Sequence, residues 1–197
     1  MEDGIQYHRN AQFRFVGWNG IAKPLRVRLG TTPLIVVGLA LAQPLSAHGT
    51  GGFAIRDLTK LKAENFTFGK KKFTSISEPK RLTLACDGCN DLEGVDILLS
   101  KSTDGTEGRY RSGKTTIGDM EKQCQAREPN CTLEAVSING AVGWVSRASL
   151  GTLSISTTVL FKQGDMLLIR SMAGDVTVAY ENGKFAREKF GPLIVGP

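Results

Sequence analysis

An α+β fold, an antiparallel sheet built from hairpins with one inserted helix and a C-terminal helix packed on it, is what this sequence predicts. Three observations predict it. The dipeptides Asp104-Gly105, Asn139-Gly140 and Gln163-Gly164 each separate two short apolar runs, and such dipeptides supply the backbone of tight turns. Gly is frequent, 23 of 197 residues, and aromatic residues make up only 7%, which favours many turns between short strands. Helix-start signals are confined to two places, Thr115 or Thr116 with Asp119, and Asp175.

Taken in order, Phe53 to Phe73 mixes isolated apolar residues with Lys, so 48–78 reads as a loosely ordered lead-in with one strand at 64–68. Lys70, Lys71 and Lys72 read as a solvated basic turn. Arg81 to Cys86 alternates apolar and polar, and Val95 to Leu99 is a second strand. Asp104-Gly105 is expected to return the chain as a strand from Thr106 to Ser112. A helix follows, with Ile117, Met120 and Cys124 at helical spacing until Pro129 stops it. Thr132 to Ile138 with Ala141 to Ser149, and Ile155 to Phe161 with Met166 to Met172, form two further hairpins. Asp175 caps a last helix whose apolar side carries Val176, Ala179, Tyr180 and Phe190, with Gly183 as a weak point. A single domain over 79–197 results.

From Gly94 to Val195 this order of elements resembles the Mog1/PsbP-like fold of small exported bacterial proteins. The resemblance implies a binding or accessory role rather than a catalytic one.

Residues 1–47 read as a removable export signal. Lys23, Arg26 and Arg28 precede the aliphatic run Pro33 to Ala42, and Gln43 to Ala47 supply a polar, small-residue exit. A spanning helix needs about 20 apolar residues, and this run stops well short, so no permanent membrane anchor is expected. Cleavage is expected after Ala47, with Ala42 as the other fitting position. The stretch before Lys23 is longer than a leader needs, which suggests a downstream translation start. The location implied is periplasmic or secreted.

Removing residues 1–47 takes five basic and two acidic side chains, leaving 20 Lys and Arg against 17 Asp and Glu. That balance offers no basic stripe with aromatic readers, so nucleic acid is not an expected partner. An unknown protein or envelope component is. The sequons at Asn65 and Asn130 matter only in a glycosylating pathway.

Four cysteines in an exported domain read as disulfides. Three pairings are open, and the local one, Cys86 with Cys89 and Cys124 with Cys131, is the one expected. A zinc site fits poorly, because the second pair is spaced by six residues where zinc motifs use two to four. A thiol-disulfide redox centre at Cys86 and Cys89 is the alternative function. It needs a helix N-terminus to lower the thiol pKa, whereas Asp87, Asp91 and Glu93 surround this motif and would raise it. The only histidines are His8 and His48, outside 79–197, so catalytic triads and imidazole-based metal sites lack their central residue; neither a catalytic residue nor a cofactor is expected.

A second alternative is nucleotide binding. Gly108 to Thr115 satisfies the phosphate-loop pattern, with Gly108, Gly113, Lys114 and Thr115 as its fixed residues. Such a loop must leave a buried parallel strand, and here it would leave the return arm of a hairpin. Finally, Arg109, Tyr110, Arg111, Trp144 and Arg147 form a candidate interaction patch if the first two hairpins are neighbours, since exposed arginines among aromatics favour partners.

Overall fold

The computed structural model describes residues 52–61, 66–68, 70–89 and 92–197. The expected signal segment, its cleavage site Ala47 and the sequon at Asn65 lie outside the described residues. Eight strands form one antiparallel sheet: β1 (Phe66–Phe68), β2 (Lys71–Glu78), β3 (Arg81–Asp87), β4 (Gly94–Lys101), β5 (Thr132–Ile138), β6 (Ala141–Leu150), β7 (Leu153–Lys162) and β8 (Asp165–Ala173). Their spatial order is β1-β2-β3-β4-β8-β7-β6-β5. Two meanders therefore meet at β4 and β8, and the chain crosses from β4 to the far edge through α1 (Thr106–Arg111) and α2 (Ile117–Gln125). The last helix is α3 (Val176–Val195). The α+β architecture, the inserted helix and the terminal helix are as the sequence predicts.

Alternation decides which side of the sheet is dry. Leu82 and Leu84 on β3, Val95, Ile97 and Leu99 on β4, Leu160 on β7, and Leu167 and Ile169 on β8 are all buried on one face. Ala186, Phe190, Ile194 and Val195 of α3 complete that core. The two expected hairpins form as read, and their turns place Asn139 at φ 47° and Gln163 at φ 51°, each followed by a glycine of positive φ.

Gly183 lies within α3 at a close contact with the sheet. A methyl there would lie 3.3 Å from the Ser171 side chain, so its absence lets α3 settle closely on Ser156 and Ser171. Asp175 caps the helix by accepting from the Thr177 and Val178 amides. Of the expected apolar side, Ala179 and Phe190 are buried, whereas Val176 is exposed.

Two expectations are corrected. The lead-in over 48–78 is structured where it is described: Phe53, Leu58, Leu61 and Phe73 belong to the core, and Lys71–Glu78 is strand β2. Only Lys70 of the three lysines lies in a turn, and Lys71 pairs with Glu93 at 2.6 Å. The domain boundary at 79 is therefore too late. Second, Thr106–Arg111 is helix α1 and not a returning strand. Asp104 accepts from the Thr106 amide and hydroxyl, which starts a helix rather than a hairpin. Glu107 then pairs with Arg111 and accepts from the Gln163 and Gly164 amides, while Arg111 donates to the Gly140 and Phe161 carbonyls. These contacts dock α1 on both hairpin turns, and they outweigh the local turn signal.

Gly143 on β6 marks the tightest approach in the sheet, since a methyl there would run into the backbone carbonyl of Val159. Gly143→Ala is expected to cost about 1–3 kcal/mol by forcing the β6–β7 pair apart. Urea unfolding measures this, and an unchanged midpoint would contradict the packing described.

Candidate functional site

A cavity of about 530 Å³ lies where the segment carrying Phe53 crosses the ends of β4 and β8. That size is within the range of about 300–1,000 Å³ in which small-molecule sites fall. Four stretches far apart in sequence build it. Phe53, Ile55 and Arg56 come from the segment before the 3-10 turn Leu58–Lys60, Lys80 from the β2–β3 turn, and Leu99, Ser100, Lys101 and Asp165 from the strand ends.

Backbone bonds hold these segments in register. The Ile55 amide donates to the Ile194 carbonyl at the end of α3, Leu58 to Pro79, and Leu99 to Lys80. The Lys80 ammonium donates to the Arg56 carbonyl at 2.9 Å, so its position is fixed by the segment it faces. Phe53, Ile55 and Leu99 supply apolar lining, and Arg56, Lys80 and Lys101 surround it with three positive charges.

Asp165 is the one carboxylate in the cleft, and its side chain is only 6% exposed. Its Oδ2 accepts from the Phe53 amide at 2.8 Å, its Oδ1 accepts from the Lys101 ammonium, and the Arg56 Nε stands 4.0 Å away. Burial pushes this carboxyl up, but Lys101, the Phe53 amide and the Arg56 charge together outweigh it and hold it below its ordinary value of 3.8. The carboxylate is thus already neutralised from within. The arrangement has neither a nucleophile paired with a base nor an imidazole among its lining residues. What it can do is accept a ligand with an apolar body and a negatively charged group.

The candidate patch divides. Tyr110 meets Trp144 edge-on with centroids 5.6 Å apart, and its hydroxyl donates to the Gly143 carbonyl at 2.9 Å. Arg111 is turned onto the hairpin carbonyls beside them, and Arg109 onto the Asp104 carbonyl and Thr106. Arg147 faces the other way, because it stands three positions along β6 from Trp144 and strand side chains alternate. Its guanidinium lies over the Tyr180 ring on the α3 side, at 4.3 Å.

Gly108, Gly113, Lys114 and Thr115 lie on α1 and in the turn after it. A strand leading directly into a phosphate-cradling loop is missing there, as the pattern would require.

Both expected disulfides are present: Cys86–Cys89 and Cys124–Cys131, with Cα separations of 5.7 and 5.8 Å. The second ties the end of α2 to the start of β5. The first starts at Cys86 within β3 and opens no helix among the described residues. A Glu93 oxygen lies within 4.8 Å of both sulfurs, so these three residues could ligate a metal only once the disulfide were reduced. No helix of the described residues is long and apolar enough to cross a membrane. No family model matches this chain, and no match to a curated protein was found.

Asp165→Asn is expected to cost about 1–3 kcal/mol at neutral pH, as loss of charge-assisted bonds does. Because the folded carboxyl titrates below its ordinary value, its contribution is present above pH ~4 and lost as the pH falls further. Chemical denaturation across pH 2–7 should show the gap between wild type and variant closing toward the acid end. A gap constant with pH would mean that the carboxylate charge contributes nothing.

Proposed function

We propose that this chain is an exported, non-enzymatic binding domain of the cell envelope, and that its ligand is a small amphipathic anion held in the cleft at Asp165. The observation that carries this reading is the meeting of an apolar lining with Arg56, Lys80 and Lys101 around a carboxylate that is already paired. One negative charge from within leaves two positive charges unmatched. The apolar lining gains by covering Phe53, Ile55 and Leu99.

Several features support the exported setting: the basic, aliphatic and small-residue order ending at Ala47, and four cysteines joined in two local disulfides. The resemblance of the element order to the Mog1/PsbP-like fold points toward the same accessory role. In this reading the mature protein begins at His48, and the Cys86–Cys89 bond braces the end of β3 instead of turning over.

Calorimetric titration with decanoate, decanol and acetate tests the ligand class. Decanoate is expected to bind, decanol and acetate to bind at least tenfold more weakly, and Arg56→Gln with Lys80→Gln to weaken decanoate by about tenfold, or 1.4 kcal/mol. Equal binding of decanol, or none of decanoate, would refute the ligand class. Insulin reduction catalysed by the native protein would refute the non-enzymatic reading in favour of the redox alternative.

A further inference from the structure

Beneath α3 the sheet carries a polar seam remote from the cleft's residues. Ser154, Ser156 and Thr158 of β7, Ser171 of β8, and Asn182 and Arg187 of α3 are all buried. Hydroxyls and amides tolerate such a place when they bond to one another. A guanidinium is different, because it stays charged and has five N–H donors to satisfy.

Arg187 is 8% exposed. Among the described residues its one hydrogen bond runs from Nη1 to the Thr158 hydroxyl at 3.5 Å, the long limit for such a bond. No carboxylate among the described residues forms an ion pair with it. A guanidinium this little exposed and without a counter-ion is disfavoured, and its Nε and Nη2, which are not among the fully buried unpartnered atoms, are left to meet water or an anion.

A second arginine shares the seam. Val145 pairs with Thr158 and Arg147 with Ser156, so Arg147 stands on the same sheet face, one strand over and one pair along. Its charge is met on one side by Glu134, at 3.1 Å from Nη2, and by the face of Tyr180. Its Nε is buried and has no partner. Two guanidiniums with donors that no protein group meets thus lie at the seam, and the carboxylates bonded there are already engaged, Glu134 by Arg147 and Glu93 by Asn182 and Lys71.

We infer that this seam is a binding site for a small oxyanion, a phosphate or sulfate group free or carried on a larger ligand. Arg187 is its anchor, through the forked geometry that matches two oxygens of such a group. The Thr158 hydroxyl rotates to give a second donor, and the Arg147 Nε gives a third. The inference stands apart from the cleft, with which it shares no residue, and from the export reading, since it needs only the folded domain.

The test uses the disulfide-intact protein in chloride buffer, titrated with inorganic phosphate, sulfate or acetate at constant ionic strength. The melting temperature is expected to rise by several degrees and saturate at low millimolar phosphate or sulfate, with acetate giving little. Saturation separates a site from the general salting effect of these ions. Phosphorus NMR of phosphate should show protein-dependent line broadening that sulfate reverses. Arg187→Met is expected to melt at or above the wild type in chloride, because it removes an unmatched charge, and to lose the saturable rise; Arg147→Met is expected to weaken it. A melting temperature indifferent to phosphate with no broadening would overturn the inference, and so would an undiminished response in Arg187→Met. Should Arg187→Met fail to fold, the wild-type line broadening decides alone.

Discussion

Asp165 accepts from two groups that are far apart in the chain. The Phe53 amide lies 112 residues away in sequence and Lys101 lies 64, so one buried carboxylate joins the N-terminal segment, the end of β4 and the start of β8. Without that acceptor the Phe53 amide would face a buried space with no partner. The segment carrying Phe53, Ile55 and Leu58 could then separate from the sheet, exposing the core beneath it. The same carboxylate stands 4.0 Å from the Arg56 Nε in the cleft, where Lys80 donates to the Arg56 carbonyl. Stability and the candidate site therefore share one residue.

Much of the right half of the sheet was legible because its signals are local. Asn139-Gly140 and Gln163-Gly164 sit between runs with clean alternation, and turn chemistry alone sets their register. Thr116 with Asp119 forms a reciprocal cap three residues apart, and both disulfides close short loops. Asp104-Gly105 misled for the opposite reason. The dipeptide suits a hairpin, yet α1 is held by Glu107 and Arg111 bonding to turns at 140 and 163–164, contacts that no local window contains. Strand β2 was hidden because Lys71 and Lys72 open it, and its inward side after Phe73 holds only Ser75 and Ser77.

The cleft was not legible at all, and the reason is geometric. Its residues fall in four separated stretches, at 53–56, 80, 99–101 and 165, with no spacing that a motif could express. The candidate patch divides for a simpler reason. Trp144 and Arg147 lie on one strand at an odd separation, so period-two alternation sends them to opposite faces. A reading that respected that alternation would have paired Arg147 with the helix side, where Tyr180 lies.

Amide chemical-shift mapping tests the central claim, that the cleft at Asp165 is where this domain meets its ligand. On titration with decanoate, the account predicts shifts concentrated at the amides of Phe53, Ile55, Leu99, Ser100 and Lys101, which line the cleft. Shifts centred instead on Trp144 and the hairpin turns, or spread evenly over the domain, would contradict it.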